Sequence, residues 1–100
     1  MQRATVRIVL DDKGYALALQ PPTPETGPLH PAARVALERA EMTAGTPSVR
    51  VVRCTIAEGR ALLDYFGRLC DHLTSARADD AAVCARARDI IRRALVTAGA

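Results

Sequence analysis

The stretch TIAEGRALLDYFGRLCDHLTSARADDAAVCARARDIIRRALVT, residues 55–97, decides the fold. Placed at 100° per residue, Leu62, Leu63, Tyr65, Phe66, Leu69, Cys70, Leu73 and Ala76 fall in one broad arc, with Arg60, Asp64, Arg68, Asp71 and Ser75 opposite. Thr55 followed three residues later by Glu58 is a capping-box pattern: the hydroxyl accepts from a free amide and the carboxylate reaches back to the Thr amide. After a break near Ala76 to Ala78, Asp79 and Asp80 suit the positive end of a new helix. Val83, Cys84, Ala87, Ile90, Ile91, Ala94, Leu95 and Ala98 then make a second arc. The pattern predicts helices over about 56–76 and 79–97, joined so tightly that they run antiparallel. Each arc is wider than a two-helix seam consumes, so each helix must touch a third surface.

That surface is expected upstream. Ala4, Val6, Ile8 and Leu10 alternate with Thr5, Arg7 and Val9, and after Asp11, Asp12, Lys13 and Gly14 the alternation resumes at Tyr15, Leu17 and Leu19. This predicts a β-hairpin with strands about 4–10 and 15–20, Gly14 supplying the left-handed backbone position of its turn. Residues 20–30 hold Pro21, Pro22, Pro24 and Pro28 with Gly27, which predicts a connecting loop. A short groove-binding Pro-rich ligand would show similar spacing.

Residues 31–44 read two ways. Pro31 at a first helical position, good helix formers and a terminal Gly45 favour a helix with Ala33, Ala36, Leu37, Ala40 and Ala44 on one face. Val35 and Leu37 also fit a strand that would return through Gly45 and Pro47 to the next segment. Val49, Val51 and Val52 make residues 48–54 a strand. The predicted fold is α+β, one domain over residues 1–100: a small, mainly antiparallel sheet from the N-terminal hairpin and strand 49–54, packed against the C-terminal helix pair.

Composition narrows the function. With 49% apolar and 25% charged residues the chain is of ordinary globular type, and its core must be aliphatic, since Tyr15, Tyr65 and Phe66 are the only aromatics. So few aromatic faces count against base stacking. The +3 charge comes from thirteen Arg and one Lys interspersed among eleven acids, without the one-signed block a polyanion binder would need. No long apolar run or charged leader is present, so neither a membrane span nor a signal segment is expected. Three cysteines at irregular spacing suit a reducing compartment, and the cytoplasm is the expected location.

Arg86, Arg88, Arg92 and Arg93 are the densest basic group and the candidate binding residues, for phosphate or an acidic partner. On the wheel, however, Arg88 and Arg92 border one edge of the apolar arc, Arg86 and Arg93 the other, with Asp89 between them. Asp64, Arg68 and His72 form a column in which a carboxylate would tune a histidine, but a ladder of surface pairs through Arg60, Asp64, Arg68 and Asp71 explains it more simply. Cys54, Cys70, Cys84 and His72 are zinc-ligand types without zinc-ligand spacing, so no metal or cofactor is expected. Cys70 and Cys84 are placed to face each other across the helix turn, either as buried thiols or, in an oxidising setting, as a disulfide. Gly59 lies inside the apolar arc and Gly67 at its border, which implies close approach of another backbone, from the sheet or from a second copy.

No phosphate loop, nucleophile elbow or paired-His metal motif occurs. A scaffold without a chemical constellation predicts a non-enzymatic interaction or regulatory module, of bacterial or mobile-element type. Its expected partner is a protein, with a second copy of the chain as one candidate, or alternatively nucleic acid or a nucleic-acid enzyme bound through the Arg-bearing edges of the last helix.

Overall fold

In the computed structural model, residues 5–20, 24, 27–43, 49–73 and 78–99 are described. They form β1 (Thr5–Asp11), α1 (Asp12–Ala18), α2 (Pro31–Glu38), β2 (Glu41–Thr43), β3 (Val49–Thr55), α3 (Ile56–Leu73) and α4 (Ala78–Thr97). The sheet is antiparallel in the order β1-β3-β2, with β3 in the middle. The α+β class stands, and so does the packing of an antiparallel sheet against the C-terminal helices.

The predicted N-terminal hairpin is corrected: residues 12–18 are helical, and the partner of β1 is β3, with Val6 opposite Cys54, Ile8 opposite Val52 and Val9 opposite Val51. The Asp11 carboxylate accepts the Gly14 amide at 2.7 Å and caps a helix where a turn was expected. Gly14, Leu17 and Ala18 are its buried residues, a helical i, i+3, i+4 spacing. Gly14 has no positive φ. What it supplies is room, because a Cβ there would lie 3.1 Å from Asp11 Oδ1 and 3.6 Å from the Ala87 Cβ.

The ambiguous segment is helical at Val35 and Leu37, the positions of the strand alternative, and a short strand follows it. Pro31 starts α2, His30 Nδ1 accepts the Ala32 amide at 3.1 Å, and Ala33, Ala36 and Leu37 are buried. The helix stops at Glu38 rather than near residue 44, and β2 then pairs with β3. The turn expected at Gly45 and Pro47 lies outside the described residues, as does the connection at 74–77.

The capping box is present: the Thr55 amide donates to Glu58 Oε1 at 2.8 Å and the Glu58 amide donates to the Thr55 hydroxyl at 3.2 Å. Leu62, Tyr65, Phe66, Leu69, Cys70 and Leu73 of α3 are buried, together with Cys84, Ala87, Ile91 and Leu95 of α4. The third surface these helices need is the inner face of the sheet, Val6, Ile8, Leu10, Val52 and Cys54, all in the same core. Gly59 is explained by a side chain, not by another backbone: a Cβ there would sit 2.9 Å from Leu95 Cδ2 and 3.7 Å from Cys54 Sγ. At Gly67 nothing lies within 4 Å of such a Cβ.

Candidate interaction surface

The two faces of the sheet differ. Val6, Ile8 and Leu10 of β1 are at most 1% exposed, whereas Thr5 and Arg7 are exposed and Val9 and Asp11 partly so. Strand alternation puts the second set on the opposite face, with Thr55, Arg53, Val51 and Val49 of β3 beside them. Val9 and Val49 on this outer face are partly exposed and lie outside the core shared by the helices and the inner face, whereas Val51 is only 5% exposed.

On it, Arg7 and Arg53 are directly opposite each other. Cross-strand neighbours of like charge destabilise a sheet by a few tenths to about 1 kcal/mol. Arg53 is relieved by Glu41 of β2, at 3.4 Å between Nη1 and Oε1, both side chains being more than half exposed. Among the described residues the Arg7 side chain makes no ion pair. Next to this pair, Val51 floors a depression of about 120 Å³ walled by Arg39, Glu41 and Arg53. Arg39 caps the end of α2 and reaches Glu58 at 3.9 Å. The result is a partly exposed Val9 beside the buried Val51, flanked by three guanidiniums and one carboxylate. β1 is also an edge strand, with no partner on its outer side among the described residues.

The four arginines singled out in the sequence are not brought together. Arg86 pairs with Asp11 at 3.3 Å and Arg93 with Asp89 at 3.0 Å. Arg88 is half-buried and Arg92 exposed, on the other side of the helix. The Asp64, Arg68 and His72 column is a surface ladder: Arg68 pairs with Asp64 at 3.4 Å and its guanidinium lies 6.0 Å from the Tyr65 ring centroid, while His72 is exposed. An open groove of about 440 Å³ runs between residues 28–31 and α3 and includes His30, Asp64 and Arg68. Its polar groups are already engaged, His30 by the Ala32 amide and Arg68 by Asp64. The aromatics are committed to packing: Tyr65 and Phe66 are buried edge to face, and the Tyr15 hydroxyl donates to the Leu37 carbonyl at 2.6 Å beneath the Arg50 guanidinium. No group of metal-ligating side chains and no helix long and apolar enough to cross a membrane occurs among the described residues.

Burial, with the Glu58 carboxylate adding to it, pushes the Cys54 thiol up to about 11 against the opposing pull of Arg39. Burial also drives the Cys84 thiol far above the usual range, and neighbouring Cys70 reinforces the shift. Neither is an activated nucleophile, since a reactive thiol needs its pKa lowered.

No protein-family model, curated protein or solved structure matches this chain.

Proposed function

We propose that the protein is a non-enzymatic interaction module whose outer sheet face binds an acidic segment of a partner protein. The observation that carries this is the Arg7–Arg53 pair: two exposed like charges set opposite each other on the sheet face away from the helices, beside the partly exposed Val9, lower the stability of the isolated chain and suit a negatively charged partner. Arginine flanking apolar contact is also the composition of interface hot spots. The same charge disfavours a second copy on this face, because self-association would bring four arginines together. A cytoplasmic setting fits a chain whose three cysteines are all free and buried.

The test is retention of a partner from the native host by wild type and by Arg7→Glu, with Arg92→Glu as a control at the far helix. Loss on Arg7→Glu alone, with unchanged circular dichroism, supports the proposal. Equal retention by both variants, or a turnover abolished by changing His72 or Asp64, overturns it. Nucleic-acid association is the second reading, supported by Arg88 and Arg92 sharing one side of α4. It requires binding that weakens steeply with salt and is lost on Arg88→Ala with Arg92→Ala.

A further inference from the structure

Cys70 lies in the last turn of α3 and Cys84 in the second turn of α4, and their sulfurs are 2.8 Å apart. The bonded distance is about 2.05 Å, so less than an ångström of closure separates thiol pair from disulfide. Two helices already packed along their length hold the sulfurs together, so bonding asks for a small local adjustment and no rearrangement of the fold. We propose that Cys70 and Cys84 are a covalent redox site, at which a low-molecular-weight disulfide oxidises the pair to an intramolecular disulfide stapling α3 to α4. This is independent of the function proposed for the sheet face.

Their surroundings assign the order of events. The Cys70 thiol donates to the Cys84 sulfur, and the Cys84 thiol donates to the Phe66 carbonyl at 3.3 Å, so the reduced pair is internally satisfied. Cys70 is 7% exposed and Cys84 fully buried. Cys70, the less buried of the two residues, is assigned the first attack: as thiolate it attacks RSSR, forming Cys70–S–SR and releasing RS⁻. That thiolate takes the Cys84 proton and leaves as RSH. The Cys84 thiolate then attacks the Cys70 sulfur and expels a second RS⁻, which takes up the proton Cys70 gave to solvent. The protein loses two electrons and two protons, and RSSR becomes two RSH. Because Cys84 gives up its proton reluctantly, this second step sets the pace, and excess reduced thiol reverses the sequence by the same route.

Cys54 stays out of the couple. It sits on β3 against the first turn of α3, beside Gly59, about eleven residues along the helix from Cys70, or roughly 16 Å. Two thiols that pair and one that does not account for the odd number.

The experiment equilibrates the full-length chain with reduced and oxidised glutathione at graded ratios, quenches in acid, and alkylates with N-ethylmaleimide under denaturing conditions. The expected product carries one alkyl group, on Cys54, and trypsin leaves peptides 69–77 and 78–86 joined. Its melting temperature should exceed that of the reduced chain by about 12–24 °C, since the bond closes a loop of roughly 15 residues. Cys54→Ala should form the same link, and Cys70→Ala and Cys84→Ala should not. Three alkylatable thiols at every ratio, a persistent glutathione adduct on Cys70, or a bond involving Cys54 would overturn the proposal. The wild-type thiol count decides it even if a cysteine variant fails to fold.

Discussion

Two glycines in one helix should respond in opposite directions to the same substitution. Gly67 and Gly59 both lie in α3, where glycine is less favourable than alanine by roughly 0.5 to 1 kcal/mol. A methyl at Gly67 meets nothing within 4 Å, so Gly67→Ala should recover that difference and raise the melting temperature by about 2–6 °C. A methyl at Gly59 would stand 2.9 Å from Leu95 Cδ2, and Leu95 is buried against the core. Overpacking at such a site costs about 1–3 kcal/mol, which outweighs the helical gain and leaves Gly59→Ala destabilised by about 1 kcal/mol. The clashing atom is the tip of one side chain, so shortening it should reverse the sign. In a Leu95→Val background, Gly59→Ala should become neutral or stabilising, with a coupling energy of about 1–2 kcal/mol. Urea unfolding followed by circular dichroism, with a common m-value across the four chains of the cycle, measures it. Equal effects at Gly59 and Gly67, or strict additivity with Leu95→Val, would refute the assignment of Gly59 to a close contact with α4.

Thr55→Ala should cost about 1 kcal/mol in the same assay by opening the capping box, and Thr55→Ser should restore most of it. Arg7→Glu should stabilise the isolated chain by a few tenths to about 1 kcal/mol, because it converts a like-charge pair opposite Arg53 into an attractive one; lower stability would show that the two arginines do not oppose each other. Stability should fall in alkali. The folded-state pKa of Cys54 lies near 11, above its value of 9.0 when unperturbed, so its contribution is complete below pH 9 and is lost between pH 9 and 11 as the unfolded thiol ionises first. The loss attributable to this thiol is at most about 1.4 kcal/mol per pH unit, read as the difference between wild type and Cys54→Ala across that window.

The C-terminal half was legible because its signals agree. In residues 55–73 a capping box, a helical period and an aliphatic arc all specify one element, and each is found in place. The first twenty residues carry conflicting signals. Tyr15, Leu17 and Leu19 alternate like a strand, yet Ala16, Leu17, Ala18 and Leu19 are good helix formers without a β-branched residue among them. A seven-residue helix is marginal alone, and it is tertiary contact that decides: β3 takes the strand position beside β1, and α1 buries Leu17 and Ala18 against the core. The candidate surface is hidden in the sequence for the same physical reason. Alternation already put Arg7 opposite in facing to Val6 and Ile8, and Arg53 to Val52 and Cys54. Their juxtaposition depends on which strands pair, a long-range fact that local pattern does not hold. Arg86 and Arg93 are dense along the chain, and in the fold each faces a carboxylate, Asp11 and Asp89, the first of which only the tertiary structure brings near.

The pairing of β1 with β3 also dictates an order of events in folding. Thr5 meets Thr55 across about 50 residues of chain, and Asp11 meets Val49 across nearly 40, whereas α3 with α4 and β2 with β3 join close neighbours in sequence. Local closures form first and distant ones wait. β1 leaves the ribosome roughly 40 to 50 residues before β3 and stays without its mate until β3 has emerged, with Val6, Ile8 and Leu10 open to wrong partners throughout that interval. Pulse-labelled hydrogen exchange should find α3 and α4 amides protected before those of β1. Arg7, charged and in the centre of that waiting strand, would then protect the nascent chain from aggregation before it ever meets a partner.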